Sequence, residues 1–233
     1  MRLRDGKISG PHWRHAGIHI VHLLKQGVTR RSRWDLSLPD QIWRDFRCNP
    51  HHLQRKWHVS ALCAYGLFSA MSPFSEADEA DEETVLWPCL MRTAVVNLVK
   101  STGGDTIANA NLAKLASADW PAVRRQLRQL KPHVVICGGA ATYQIAAVRL
   151  LREGVKVSDA ERRGWFCWGA RCVFVKVVHP QRSDYEASYQ AVCGAVGKAM
   201  AEKRLTRWWH RLERRAAKDI SLPAQHPREH KRG

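Results

Sequence analysis

A chain of 233 residues, 45% of them apolar, is long enough for one α/β domain with a well-covered sheet. Its formal charge of +17 is unevenly placed: residues 1–60 hold 12 Lys and Arg against 4 acids, residues 201–233 hold 10 against 4, and the stretch between is nearly balanced. No run reaches 18 apolar residues, which excludes a spanning helix, and charged residues with Pro11 interrupt the apolar region a signal peptide requires, so the expected location is the cytoplasm.

The first recognisable element is Ala16 to Leu24, AGIHIVHLL, an apolar run of strand length followed by Lys25-Gln26-Gly27. Residues 28–60 are rich in Arg, Trp and His without a period, and Ser60 to Phe68 reads as a short helix. The block SEADEADEE repels itself and lacks apolar residues, so it reads as a solvated loop or a helix start. Thr93 to Val99, TAVVNLV, is a β-branched run of strand length, ended by Lys100 and the turn signal Gly103-Gly104. Asn109 to Leu130 reads as helical. Asp119 is the expected N-cap of a second helix within it, with Pro121 in the first turn and Arg124, Arg125 and Arg128 outward.

Pro132-His133 opens a further strand, HVVIC, which stops at Gly138-Gly139. Ala140 to Leu151 predicts a helix with Ile145, Val148 and Leu151 inward. A loop carrying Gly164, Trp165, Trp168 and Gly169 leads to CVFVKVV (172–178), which His179-Pro180 ends. Ser183 with Glu186 forms a capping box for a last helix running from Asp184 to the region of Lys218, in which Trp208-Trp209 form a pair.

The middle of the chain therefore alternates strand and helix, with strands continuously apolar. That order predicts a three-layer α/β/α fold around a central, mainly parallel four-stranded sheet. The organisation expected is a basic N-terminal region (1–60) contributing the first strand (16–24), a core (61–200), and a basic helix end with a disordered tail (201–233). Ligands of such sheets bind at the carboxyl ends of the strands. Asn97 and Lys100, Gly138 and Gly139, and His179 and Pro180 stand there. The seven cysteines contain no C-x-x-C pair, so neither a disulfide framework nor a metal site is expected, and Cys167 and Cys172 read as two exposed thiols.

Three segments resemble the uracil-DNA glycosylase superfamily in the right order and at separations of the right size. VVNLVK (95–100) is similar to the strand-end "TNVVK" of its iron–sulfur branch, LKPHVVICGG (130–139) to its "lkPkvivllG" strand and turn, and VVHPQ (177–181) to its "HPS" loop. The resemblance covers about 110 residues, from Trp87 to Val196. It implies that Asn97 reads the pyrimidine, since an amide offers an acceptor and a donor side by side against the N3–H and O4 edge of uracil. It implies that His179 stabilises negative charge developing on uracil O2. Phe74 is the first candidate for the stacking aromatic and Phe68 the second. Lys100, Ser101, Pro180, Gln181 and Arg182 would contact DNA, and Gly138 and Gly139 would line the base pocket.

The departures are as definite. Ser101 replaces the cysteine that follows the motif lysine in the iron–sulfur branch, so no cluster and no other cofactor is expected. Gln181 replaces the serine of "HPS". The superfamily's first motif, a strand end carrying Asp or Glu, falls by order at Lys25-Gln26-Gly27, where Gln26 offers no base and no counter-charge.

Two functions follow: a DNA glycosylase acting on a flipped-out uracil or related base in base-excision repair, or a catalytically inactive nucleic-acid-binding module of the same fold. A nucleotide-binding α/β protein using Gly138-Gly139 is a third reading, without a G-x-G-x-x-G or G-K-[ST] signature. The expected partner is DNA, single- or double-stranded, with no membrane, and the chain is expected to act as a monomer. The basic ends suit such a polyanion, solvated tails being the plainer alternative.

Overall fold

The computed structural model describes residues 5–26, 42, 53–100, 109–155, 160–178 and 184–202. Four apolar segments form parallel strands: β2 (Ile20–Gln26), β3 (Ala94–Val99), β4 (Val134–Gly138) and β6 (Cys172–Val177). Every residue of β3 and β4 is buried, as expected of strands covered on both faces. Two short antiparallel strands, β1 (Gly6–Lys7) and β5 (Trp165–Trp168), close the edges in the order β1-β3-β2-β4-β6-β5.

The sheet thus has six strands among the described residues, not four. β1 is two residues long and leaves no period to read. β5 has the composition of a loop, but its glycines bound the strand: Gly164 and Gly169 take φ of +73° and +62°, conformations open chiefly to glycine.

Helices cover both faces. α5 (Asn109–Leu130) and α6 (Ala140–Leu151) pack on Val21, Leu23, Val96, Leu98 and Val135 through Leu112, Val123, Leu127, Tyr143 and Leu150. α2 (Leu53–Phe68) and α8 (Tyr185–Ala201) cover the other face, where Cys63, Ala64, Val192 and Val196 meet Ile20, Ile136 and Val175. Shorter helices fill the connections: α1 (Gly10–His15), α3 (Phe74–Asp78), a π-helical turn (Glu82–Leu86), α4 (Trp87–Met91) and α7 (Ala160–Arg163). The acidic block therefore supplies helix starts. Asp81 Oδ1 caps one of them by accepting from the N–H groups of Glu83 and Thr84, at 3.0 and 2.7 Å.

Several local expectations change. α2 starts at Leu53 rather than Ser60. α5 is one continuous helix with Pro121 inside it, so Asp119 caps no second helix. α6 is rotated from the expected phase: Thr142, Tyr143, Ala146 and Leu150 are buried, while Val148 and Leu151 are 47% and 55% exposed. Its sequence is apolar almost all round, so the bulky Tyr143, not a clean stripe, sets the phase. Asp184, not Ser183, is the N-cap of α8, its Oδ1 accepting from Glu186 N–H at 2.9 Å. Ser183 and the stretch with Trp208 and Trp209 lie outside the described residues. Cys172 is buried and Cys167 half-buried, both as free thiols.

Candidate functional site

In chain order the parallel strands are arranged second, first, third, fourth. The chain leaves central β2 first to one side and then to the other, which makes the boundary between β2 and β4 the switch point, where an open α/β sheet leaves a crevice beyond its carboxyl ends. The register puts the sequence motifs at one level there. Leu24 pairs with Asn97, Leu23 with Cys137, and Gly138 with Val177, so Asn97, Leu24, Gly138 and Val177 form one row on one face. The row spans three strand spacings, about 14 Å. It lies on the face that α2 and α8 cover, with Leu24 and Val177 in the clusters under those helices.

Asn97 is fully buried in β3. Its main-chain N–H donates to Asp5 Oδ2 at 2.6 Å, but its side-chain Nδ2 and Oδ1 have no hydrogen-bond partner among the described residues. A buried amide left unpaired costs about 1–3 kcal/mol, so the amide is held ready at the expense of stability. Two further polar groups accompany it. His22, two residues before Leu24 on the same face, is buried, and so is Ser188 in the first turns of α8, its hydroxyl unpaired.

Lys100 does not serve as the expected phosphate clamp. It is buried just past β3, and its three ammonium donors meet Asp5 Oδ1 and Oδ2 at 2.9 and 2.7 Å and Gln126 Oε1 at 2.7 Å. Burial pushes its pKa below the ordinary lysine value, against the opposing pull of the Asp5 carboxylate. Gln126 returns two bonds to Asp5, at 3.0 Å to the main-chain oxygen and 3.0 Å to Oδ1. Asp119, relieved of capping, accepts Lys100 N–H at 2.7 Å and ties the end of β3 to α5. Sequence reasoning missed Asp5 and Gln126, since partners 95 and 26 residues from Lys100 leave no local signal.

The remaining expected residues divide. Gly139 takes φ +103° as it turns from β4 into α6, and its N–H donates to Val177 O at 3.0 Å, joining two of the motifs directly. Gln26 is the last residue of β2, opposite Val99, and its side chain lies outside the described residues. Phe74 is half-buried and packs edge-on against Tyr189, with centroids 5.5 Å apart. Phe68 is a core residue, with the Arg92 guanidinium 5.8 Å over its ring. Ser101, His179, Pro180, Gln181 and Arg182 lie outside the described residues.

Another titratable pair stands near the start of α8. His58 stacks on Tyr185 at 5.1 Å, and its Nδ1 lies 3.2 Å from Glu82 Oε1. Burial lowers its pKa, opposed by the charges of Glu82 and Asp78. Among the described residues no group of three or more His, Cys, Asp or Glu is placed to hold a metal ion, and no helix is long and apolar enough to cross a membrane. No known protein family matches the chain, and no curated protein is significantly similar to it.

Proposed function

We propose that the chain is a uracil-DNA glycosylase-like protein that takes a flipped-out uracil or related base at the carboxyl edge of β3 and hydrolyses its N-glycosidic bond. One observation carries this reading: the fully buried, unpaired amide of Asn97, level with Gly138 and Val177 beside the switch point. An amide that finds no partner among the described residues suits a ligand presenting a matched donor and acceptor, such as the N3–H and O4 edge of uracil. Cytosine has the opposite polarity on that edge and would pair only with the amide turned end for end.

The bond breaks as the sugar gains cationic character and uracil O2 gains negative charge. His179, two residues beyond Val177, donates a hydrogen bond to that oxygen, and water supplies the hydroxyl that replaces the base. Ser101, Gln181 and Arg182, at the starts of the segments that follow β3 and β6, contact phosphates of the extruded nucleotide. Lys100 is not among them, because its donors are engaged inside the protein.

A second reading, a binding module without catalysis, is favoured by the neutral Gln26 at the end of β2. The two acids bonded to Asn97 or Lys100 among the described residues, Asp5 and Asp119, are both engaged by Lys100. The test is cleavage of a labelled single-stranded oligonucleotide holding one uracil, with alkali to reveal abasic sites. Cleavage that falls by about 100-fold or more in both Asn97→Ala and His179→Ala supports the glycosylase, in line with the loss expected for one group aligned to a developing charge. No cleavage by the wild type, with salt-sensitive binding retained, selects the binding module.

A further inference from the structure

The outer face of α5 carries a line of cations that the carboxyl-edge site does not use. Arg125, Arg128 and Lys131 are exposed and line, with Pro121, Arg124 and Gln129, an open cleft of about 620 Å³. Arg124 is neutralised by Glu153, at 2.7 Å. Among the described residues, Arg125, Arg128 and Lys131 have no acidic partner and no acid lines the cleft. Steps of three residues set the charges about 4.5 Å apart along the helix axis. That is a line of charge, which fits a polyanion better than a single small anion.

The line continues round the amino-terminal pole of the sheet. Lys131, at φ +47°, turns the chain out of α5 towards β4. Past it stand His19 and His133, with Trp13 stacked on His19 at 4.4 Å. Burial, and after it the nearby charges of Arg92, Lys7 and Arg171, lower the pKa of His12, His19 and His133, so cations stand at this pole too.

We propose that this cleft is a second nucleic-acid contact, in which Arg125, Arg128 and Lys131 take successive phosphates of a strand along the outer face of α5. An anionic membrane is the poorer fit, because none of the exposed large apolar residues, Leu115, Val148, Leu151 and Val178, lines the cleft to enter a bilayer. Gln126, between Arg125 and Arg128, turns inward to Lys100 and Asp5, so the cleft is the outer face of the same helix that braces the end of β3.

The experiment is anisotropy of a labelled single-stranded oligonucleotide without uracil, titrated with the full chain over a range of salt. Because the probe holds no uracil, the result is independent of base cleavage, so this proposal and the glycosylase reading fail separately. Arg125→Glu/Arg128→Glu is expected to weaken binding roughly tenfold or more and to flatten the salt slope by roughly 1.4, the value for two phosphate contacts on a single strand. Arg125→Gln/Arg128→Gln, expected to give a smaller loss in the same direction, guards against misfolding from charge reversal. Unchanged affinity and slope in both would overturn the proposal. So would an equal loss in Arg162→Glu/Lys198→Glu, the same charge change elsewhere, since total charge would then govern binding. Loss of binding to phosphatidylserine vesicles with oligonucleotide binding intact would overturn it in favour of a membrane.

Discussion

Asp5 holds Asn97 by its main chain and leaves its side chain alone: Oδ2 accepts the Asn97 N–H at 2.6 Å, while the amide of Asn97 is buried without a partner among the described residues. The same carboxylate neutralises Lys100 at 2.7 Å, with both charges almost fully removed from water. One acid, just ahead of β1, thus braces β3 both at Asn97 and at Lys100 just past its end.

Removing that acid uncovers a buried ammonium. Asp5→Ala is expected to lower the unfolding free energy by about 3 kcal/mol or more, the usual cost of breaking a buried ion pair from one side. Asp5→Leu combined with Lys100→Met is expected to recover much of the loss, because no charge is then stranded. Urea midpoints of the single and double variants decide between this and a merely local effect, which would leave the double variant no better than the single.

Asn97 predicts a conflict between stability and function. Leucine has the same branching, with methyl groups in place of the two unpaired polar atoms, so Asn97→Leu is expected to stabilise the fold by about 1–2 kcal/mol. The same change is expected to abolish discrimination between uracil and cytosine in oligonucleotide binding. A fall in melting temperature on Asn97→Leu would mean that the amide is satisfied in solution and is not waiting for a base.

Acid acts at the other pole. His133 Nδ1 accepts the His19 N–H at 2.8 Å, and burial, aided by the charges of His19 and Arg171, lowers its pKa from 6.5 to about 3. The folded pKa lies below the unfolded one, so the unfolded chain binds the proton first. Stability from this group is complete above pH 6.5 and is lost as pH falls towards 3, by at most about 1.4 kcal/mol for each unit. His133→Asn is expected to flatten the decline in urea midpoint between pH 7 and pH 4; a parallel decline would assign the acid sensitivity to other groups.

The legible part of the fold was the apolar part. β3, β4 and β6 announce themselves as β-branched runs because both faces of each strand are buried, and glycines at the turn after β4 mark where the backbone needs positive φ. β1 and β5 were hidden because an edge strand of two or four residues carries no period. Asp119 beside Pro121 has the local signature of a cap, yet a tertiary partner, the N–H of Lys100, claims it. The site divided in the same way. Asn97 stood out as a polar residue in an apolar strand, whereas Asp5 became meaningful only when the sheet brought together residues 92 positions apart. Lys100 failed as a surface contact for that reason: a lysine after a strand reads as solvated until a buried carboxylate appears beside it.

The brevity of β1 bears on assembly. Among the described residues, the outer edge of β3 is met only by two residues of antiparallel pairing, Gly6 with Val95 and Lys7 with Ala94, and by the Asp5 carboxylate on the Asn97 N–H, and its six residues are apolar but for Asn97. Freed of that cover, the ribbon would offer its unpaired N–H and C=O groups to the equivalent ribbon of another molecule, the usual route to strand-by-strand oligomers. Proteolytic removal of the segment before α1 is therefore expected to expose this edge and to raise the size of the particles seen by light scattering.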